Sequence, residues 1–317
     1  MNKFKILITC PPMIAQIKKY NNFFKKHKMQ FVFPRIKQTL DKKKLIKMLP
    51  DYDGWIAGDD ETNFQILNTA KQGNLKAIIK WGVGTDNFDL DIVEKLGFKF
   101  SNIPNVFGDE VANVAISYLL GLATNTFFID RKIRQEKWPK PSGIVLKDKT
   151  LGVIGFGDIG KNICKRAHVF GLKTIVWDKY KKKPKNTKID FCNWPNKIDK
   201  CDFVIIACSL NKENYRFFNK IILSKMKIGS YLINVSRGDL VEEKDLIKYM
   251  KKKIIKGFAS DVFNKEPIQA NSYFKKNDNC ILGSHNSSNV IEKVDKVSIL
   301  AIEKLSFFLR KKKYIRK

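Results

Sequence analysis

Two doubly wound α/β domains, each on a parallel sheet and with a cleft between them, are the fold class that this sequence predicts. Three observations predict it. Short apolar runs alternate with helix-period segments from end to end, the pattern of strands joined by crossover helices. At 317 residues the chain is too long for one ordinary core. A glycine-rich turn, Gly155-Phe156-Gly157-Asp158-Ile159-Gly160, stands between a strand pattern and a helix pattern where a second alternation has just begun.

In order, strands are predicted at Lys5–Thr9, Met29–Phe33, Gly54–Ala57, Asn74–Lys80 and Phe98–Ser101. Helices are predicted between them at Lys42–Met48, Phe64–Lys71 and Leu90–Leu96, the last stopped by Gly97. A long helix is expected from Asp109 to about Lys137. Asp109 and Glu110 sit favourably in its first turn, and Val111, Val114, Ala115, Tyr118, Leu119 and Leu122 form its apolar stripe. It reads as a connector between domains whose apolar face packs on a partner subunit. Pro139 and Pro141 mark a loop. Strands then follow at Thr150–Ile154, Thr174–Trp177, Phe203–Ala207, Tyr231–Val235, Gly257–Ser260 and Cys280–Leu282, and a last helix at about Asn289–Leu309. One domain is expected to combine residues 1–101 with 287–317, the other to span 102–286.

The apolar fraction of 44% supports buried cores and argues against wholesale disorder. A formal charge of +30 could serve nucleic acid, an anionic membrane or an anionic substrate. The surplus is mostly lysine spread through every segment, beside abundant Asn and Ile, as AT-rich coding would give. Its densest runs, Lys179–Lys185, Lys251–Lys253 and Arg310–Lys313, lie at element ends or the terminus. Neither a specific nucleic-acid partner nor a membrane partner is expected. Six cysteines, at 10, 164, 192, 201, 208 and 280, include no CxxC pair. They are expected reduced and buried, in a cytosolic protein with no metal site. The Ile6–Cys10 run is too short for a signal-peptide core. Val111–Phe128, interrupted by Asn113 and Asn125, reads as a buried helix, not a membrane span.

The glycine turn is a G-x-G-x-x-G with strand before, helix after, a glycine stop at Gly171, a second strand, and Asp178 at that strand's end. In that order the parts form a dinucleotide-binding fingerprint of the Rossmann type. Gly155 permits the turn, Gly157 lets a pyrophosphate approach the backbone, and Gly160 lets helix and strand pack closely. The helix N-terminus, from Asp158 and Ile159, offers unpaired N–H groups to phosphate. Asp158 itself suits the N-cap, its side chain turned from phosphate. Asp178 can accept from both ribose hydroxyls and would repel a 2′-phosphate, so NAD is favoured over NADP. Lys179, Lys181 and Lys182 follow at once and soften that preference.

Among three histidines, His27 lies in a polar lysine stretch and reads as a surface residue; His168 lies mid-helix and reads as structural. His285 stands just past the Cys280–Leu282 strand, at the strand edge where ligands of open α/β sheets bind, and is the candidate general acid/base.

From about Lys76 to His285 the chain resembles the D-isomer-specific 2-hydroxyacid dehydrogenases, especially their 3-phosphoglycerate dehydrogenase branch. The resemblance is carried by the fingerprint and by Trp81–Asn87, Asn234-Val235-Ser236-Arg237-Gly238, Ala259–Pro267 and Gly283–Asn286. It implies that Arg237 grips a substrate carboxylate, Glu266 orients His285, His285 exchanges the proton, and Asp261 holds the nicotinamide amide. Each residue type suits its role: Arg offers a bidentate fork, and a carboxylate stabilises imidazolium. The resemblance further implies an active site in the interdomain cleft and a homodimer. Asn286-Ser287-Ser288-Asn289 depart from the family in being polar where a small apolar pair is common.

The expected activity is NAD-dependent hydride transfer to or from a small D-2-hydroxy acid, with 3-phosphoglycerate as the first candidate. Lys80 would then take the phosphate, and the N–H groups of Val83 and Gly84 part of the carboxylate. Alternatives are another 2-hydroxy acid (glycerate or hydroxypyruvate, lactate, a sugar-derived acid) and a cofactor-sensing, co-repressor-like binding protein. Retention of Arg237, Glu266 and His285 together favours turnover.

Overall fold

The computed structural model describes residues 3–180, 183–185 and 188–310. They fall into two compact units, Met1–Val106 with Asn289–Lys317, and Phe107–Ser288. The first boundary lies past residue 101 because the chain there is still bonded to the first unit: buried Ile103 donates its N–H to the Gly82 carbonyl, in the loop after the Ala77–Lys80 strand, at 2.9 Å.

In the first unit, β1 (Phe4–Ile8), β2 (Met29–Val32), β3 (Gly54–Ala57), β4 (Ala77–Lys80) and β5 (Lys99–Ser101) form a parallel sheet in the order β2-β1-β3-β4-β5. That is the flavodoxin-like order, with its switch point between β1 and β3. Every residue of β3 and β4 is buried, which explains their uninterrupted apolar runs. The helices α1 (Pro11–Ala15), α2 (Asn21–Lys26), α3 (Lys42–Met48), α4 (Phe64–Gln72) and α5 (Leu90–Lys95) connect them. Asp41, Asn63 and Asp89 cap α3, α4 and α5 with side-chain oxygens. The C-terminal helix, Ile291–Arg310, packs back on β3 and β4. Its Leu305 lies against Gly54, and its Ser298 accepts from Trp81 Nε1 at 3.1 Å.

The second unit opens on the long helix predicted from Asp109, but in two pieces: α6 (Gly108–Thr124) and α7 (Thr126–Ile133), bent by 70°. Asn125 makes the break, in left-handed conformation (φ 61°) and with its amide donating to Ser142 O at 3.1 Å. Of the apolar stripe of α6, all but half-buried Val114 is buried, and the helix packs on α8 (Asp158–Val169) and the sheet of its own unit. Among the described residues no single helix is long and apolar enough to cross a membrane.

Seven parallel strands follow: β6 (Thr150–Ile154), β7 (Lys173–Trp177), β8 (Asp190–Phe191), β9 (Phe203–Ile206), β10 (Ser230–Asn234), β11 (Ile255–Ser260) and β12 (Cys280–Leu282), ordered β12-β11-β10-β9-β6-β7-β8. This is the dinucleotide-binding order with one added strand, and its switch point falls between β6 and β9. The helices α9 (Lys220–Leu223), α10 (Glu243–Lys251) and α11 (Tyr273–Lys276) complete the unit.

Both parallel sheets match the expectation. Several small elements do not: α1, α2, β8, α9, α10 and α11 were not anticipated. In α10 only Leu246 and Met250 are buried, a two-residue stripe among charges. His27, expected at the surface, is half-buried, its Nδ1 at 2.9 Å from Ser306 Oγ on the C-terminal helix. Of the six cysteines, all unpaired, Cys192 and Cys208 are only partly buried.

Candidate active site

The fingerprint forms the β6–α8 turn at the switch point. Gly155 has φ +95°, and a Cβ there would sit 2.7 Å from the Cys208 backbone, so only glycine makes this turn. A Cβ on Gly160 would meet the Gly155 carbonyl, so α8 leaves the sheet with no room for a side chain. A Cβ on Gly157 would meet nothing, so its backbone borders open space. The loop thus fits a pyrophosphate against the start of a twelve-residue helix, with half-buried Ile159 as its second residue.

Asp158 is not the N-cap. Gly157 occupies that position and no side chain caps the helix. The Asp158 carboxylate instead accepts the Gly108 N–H at 3.0 Å, tying the start of α6 to the start of α8. The two helices pack so closely that the nearer α6 backbone outcompetes the local cap, and the charge is spent on an N–H donor.

Asp178 follows β7, and its carboxylate accepts from Phe156 N at 2.6 Å and Tyr180 N at 2.8 Å. The acid therefore braces the glycine turn itself. Lys179 pairs with Glu213 at 2.6 Å, while Lys181 and Lys182 lie outside the described residues, as do residues 311–313 of the last basic run.

Three loops at the C-terminal edge of the same sheet carry the other candidates. After β10, buried Asn234 clamps the next turn: its Oδ1 accepts Ser236 N at 3.0 Å and its Nδ2 donates to Arg237 O at 2.8 Å. Arg237 is half-buried, and its guanidinium donates to Ser236 O at 2.9 Å. Gly238 packs directly on the Phe263 and Asn264 backbone, which brings this turn against the loop after β11. In that loop Glu266 accepts Phe263 N at 2.9 Å through Oε1, and its Oε2 lies 2.8 Å from His285 Nδ1. The pair is partly shielded, with side chains 25% and 21% exposed. Holding Nδ1 in this way leaves Nε2 as the nitrogen able to exchange a proton with a ligand.

His285 itself is left-handed (φ 57°), and its N–H donates to Asp261 O at 2.7 Å. The Asp261 carboxylate, in a residue only 2% exposed, accepts from Asn286 N at 3.1 Å and Ser287 N at 2.9 Å. It also accepts from the hydroxyl of Tyr118 on α6, whose phenol burial and the neighbouring charge push above its usual range. These bonds carry the second unit to Ser288, two residues past the expected boundary.

Of the sequence-predicted residues, the second unit thus gathers Gly155, Gly157, Asp158, Ile159, Gly160, Asp178, Arg237, Asp261, Glu266 and His285 at one end of its sheet or on the helix that begins there. Lys80, Val83 and Gly84 belong to the first unit. Lys80 ends β4 at 3% exposure, and its ammonium donates to Asp59 Oδ1 and Trp81 O, both at 3.0 Å. Val83 is exposed and Gly84 half-exposed. Sequence reading missed the supporting residues Asn234 and Tyr118. Asn234 opens the Asn234–Gly238 motif with no role of its own there, and by periodicity Tyr118 reads as one more apolar position of its helix, although a phenol in a buried stripe signals a partner for its hydroxyl.

Residues 116–287 match the family model described as D-isomer specific 2-hydroxyacid dehydrogenase, NAD binding domain. The chain belongs to the D-isomer specific 2-hydroxyacid dehydrogenase family. It is 33% identical over 260 residues to a glyoxylate reductase of Thermofilum pendens, covering 79% of this chain and 76% of the relative. It is 28% identical over 273 residues to a hydroxypyruvate reductase of Thermotoga maritima, covering 84% and 88%. Its fold matches that of an NAD-dependent formate dehydrogenase of Staphylococcus aureus solved in complex with NAD, at TM-score 0.86, 23% identity and 96% coverage of each chain. As a member of this family the protein is an NAD-dependent D-2-hydroxyacid dehydrogenase, and the open backbone at Gly157, the start of α8 and Asp178 fit that cofactor.

Proposed function

We propose that this dehydrogenase interconverts a small, unphosphorylated 2-oxo acid and its D-2-hydroxy acid, with glyoxylate and hydroxypyruvate as the substrates to test first. The observation that carries the chemistry is the 2.8 Å contact of His285 Nδ1 with Glu266 Oε2. In the reductive direction His285 gives a proton from Nε2 to the carbonyl oxygen of the oxo acid, and in the oxidative direction it takes one from the hydroxyl. Glu266 keeps the ring oriented and favours its protonated form. Arg237 holds the substrate carboxylate as a bidentate fork. The N–H groups of Val83 and Gly84 are proposed as further carboxylate donors. Hydride exchange at C2 is the chemistry that the bound cofactor supplies.

The choice of an unphosphorylated acid over 3-phosphoglycerate rests on Lys80. Its ammonium is buried and already engaged by a carboxylate and a carbonyl. Freeing it for a phosphate would break both bonds, a cost that a short acid does not incur. The names of the curated relatives, glyoxylate and hydroxypyruvate reductase, point the same way.

Initial rates of NADH oxidation with glyoxylate, hydroxypyruvate, pyruvate and 3-phosphohydroxypyruvate test the reading. The highest kcat/KM is expected for glyoxylate or hydroxypyruvate. A clear preference for the phosphorylated acid would overturn the substrate assignment and leave the dehydrogenase intact.

A homodimer is also proposed. The exposed apolar side chains Phe127, Ile133, Trp138 and Val145 lie on α7 and the segment after it, Trp138 at 79% exposure. Sedimentation velocity of wild type and Trp138→Ser tests this. Six unpaired cysteines support a cytosolic location.

A further inference from the structure

The loop Gly283–Ser287 brings His285 to the active-site end of the sheet in a backbone conformation that a non-glycine residue rarely adopts. Such a conformation persists only where its surroundings over-determine it. Here they do, and one residue supplies most of the constraint. Asp261 accepts His285 N with its carbonyl, Asn286 N with Oδ1 and Ser287 N with Oδ2. Three consecutive N–H groups, the first of them that of His285 itself, converge on a single aspartate.

That aspartate is in turn held from outside the loop. Its own N–H donates to Asn234 O at 3.0 Å, and the Tyr118 hydroxyl donates to its carboxylate. The space for the second bond is provided by Gly283, where a Cβ would collide with both Asp261 Oδ1 and the Tyr118 hydroxyl. With three donors on a carboxylate in a residue 2% exposed, most of its hydrogen-bonding capacity is spent inside the protein.

We infer that Tyr118 and Asp261 form a positioning pair, which sets the His285 loop and acts on catalysis through it. The inference rests on the reading of His285 as the proton-exchanging residue. It adds that α6, whose first residue, Gly108, is tied to the fingerprint helix through Asp158, also reaches the acid/base loop through Tyr118, ten residues or just under three turns further on. One helix therefore braces both halves of the site within this unit.

The test compares Tyr118→Phe and Asp261→Asn with wild type in three measurements: NADH affinity by fluorescence titration, steady-state kinetics across pH, and amide hydrogen exchange of Asn286 and Ser287. A hydrogen bond to a charged acceptor typically represents a factor of about 10–10². Tyr118→Phe should therefore speed exchange at both amides on the order of tenfold and lower kcat, with NADH affinity changed less than about twofold. Asp261→Asn should do the same more strongly and should move the pH–rate profile, since the imidazole is no longer held at its place against Glu266. Weakened NADH binding with unchanged exchange would overturn the inference and make Asp261 a cofactor contact. Unchanged exchange and kcat in Tyr118→Phe would equally overturn it. His285→Ala serves as the separate control. If that variant keeps full turnover, the role given to His285 fails, while the exchange rates at Asn286 and Ser287 still decide whether the pair holds the loop.

Discussion

Asp178→Ala is expected to weaken NADH binding by more than the loss of its ribose contacts. The Asp178 carboxylate accepts from Phe156 N at 2.6 Å and Tyr180 N at 2.8 Å, so it is part of the fingerprint turn before any ligand arrives. Hydrogen bonds to charged groups contribute about 1.5–3 kcal/mol each when buried, and both of these are partly exposed. Counting about 1 kcal/mol for each gives about 2 kcal/mol of loop order lost, or roughly a thirtyfold weaker complex. The loss should fall on NADH and NADPH alike, because both need the ordered turn for their pyrophosphate. Removing the negative charge relieves only NADPH, so the gap between the two cofactors should narrow as both affinities fall. Fluorescence titration of both cofactors against wild type, Asp178→Ala and Asp178→Asn measures this. Asparagine keeps one acceptor oxygen and should fall between the other two. An alanine variant that binds NADH as wild type does would refute the bracing role, and a wild type that prefers NADPH would refute the cofactor assignment.

Three further outcomes are expected. His285→Ala should lower kcat on the order of 10²–10⁴-fold, the usual effect of losing a positioned proton-transfer group, with NADH affinity nearly intact; undiminished turnover removes His285 from the chemistry. Asp158→Ala should leave the part-buried Gly108 N–H without its charged acceptor, which costs about 1–3 kcal/mol and lowers the thermal midpoint by several degrees; an unchanged midpoint would mean that the α6–α8 tie carries no stability. Burial, followed by the charge of Arg310, holds His27 below the usual imidazole range, so the unfolded chain takes up that proton first as pH falls. The stability from neutral His27 should be complete above pH ~6.5 and be lost as pH drops through the folded value, and His27→Gln should flatten that limb in urea titrations at stepped pH.

Much of this molecule is legible in the chain itself. β3, β6, β12 and α3 fall at their predicted bounds, because each is a short apolar or periodic run closed by polar or turn-forming neighbours. The elements that were missed are those whose apolar content is small or hidden. α2 shows Asn, Lys and Phe, and only Phe24 is buried; β8 has two residues and exists because β7 offers it an edge. The break at Asn125 shows in the sequence only as one polar residue inside an apolar stretch, and the amide's acceptor, Ser142 O, lies 17 residues away.

By itself the sequence determined the two parallel sheets and the dinucleotide turn, which follow from local periodicity and from a motif in which each residue type is needed where it stands. His285 stands out by its place past a strand end, and Arg237 and Glu266 only by the resemblance to the family. The tertiary structure decided how the polar groups are spent. Asp158 binds a helix N–H instead of capping its own helix, Lys80 is closed into a pair with Asp59, and Tyr118 turns its hydroxyl onto Asp261. The physical reason is the same in each case. A buried donor or acceptor must find a partner, and the partner it finds is set by which backbones the packing brings within about 3 Å, a distance in space that the spacing of residues along the chain does not encode.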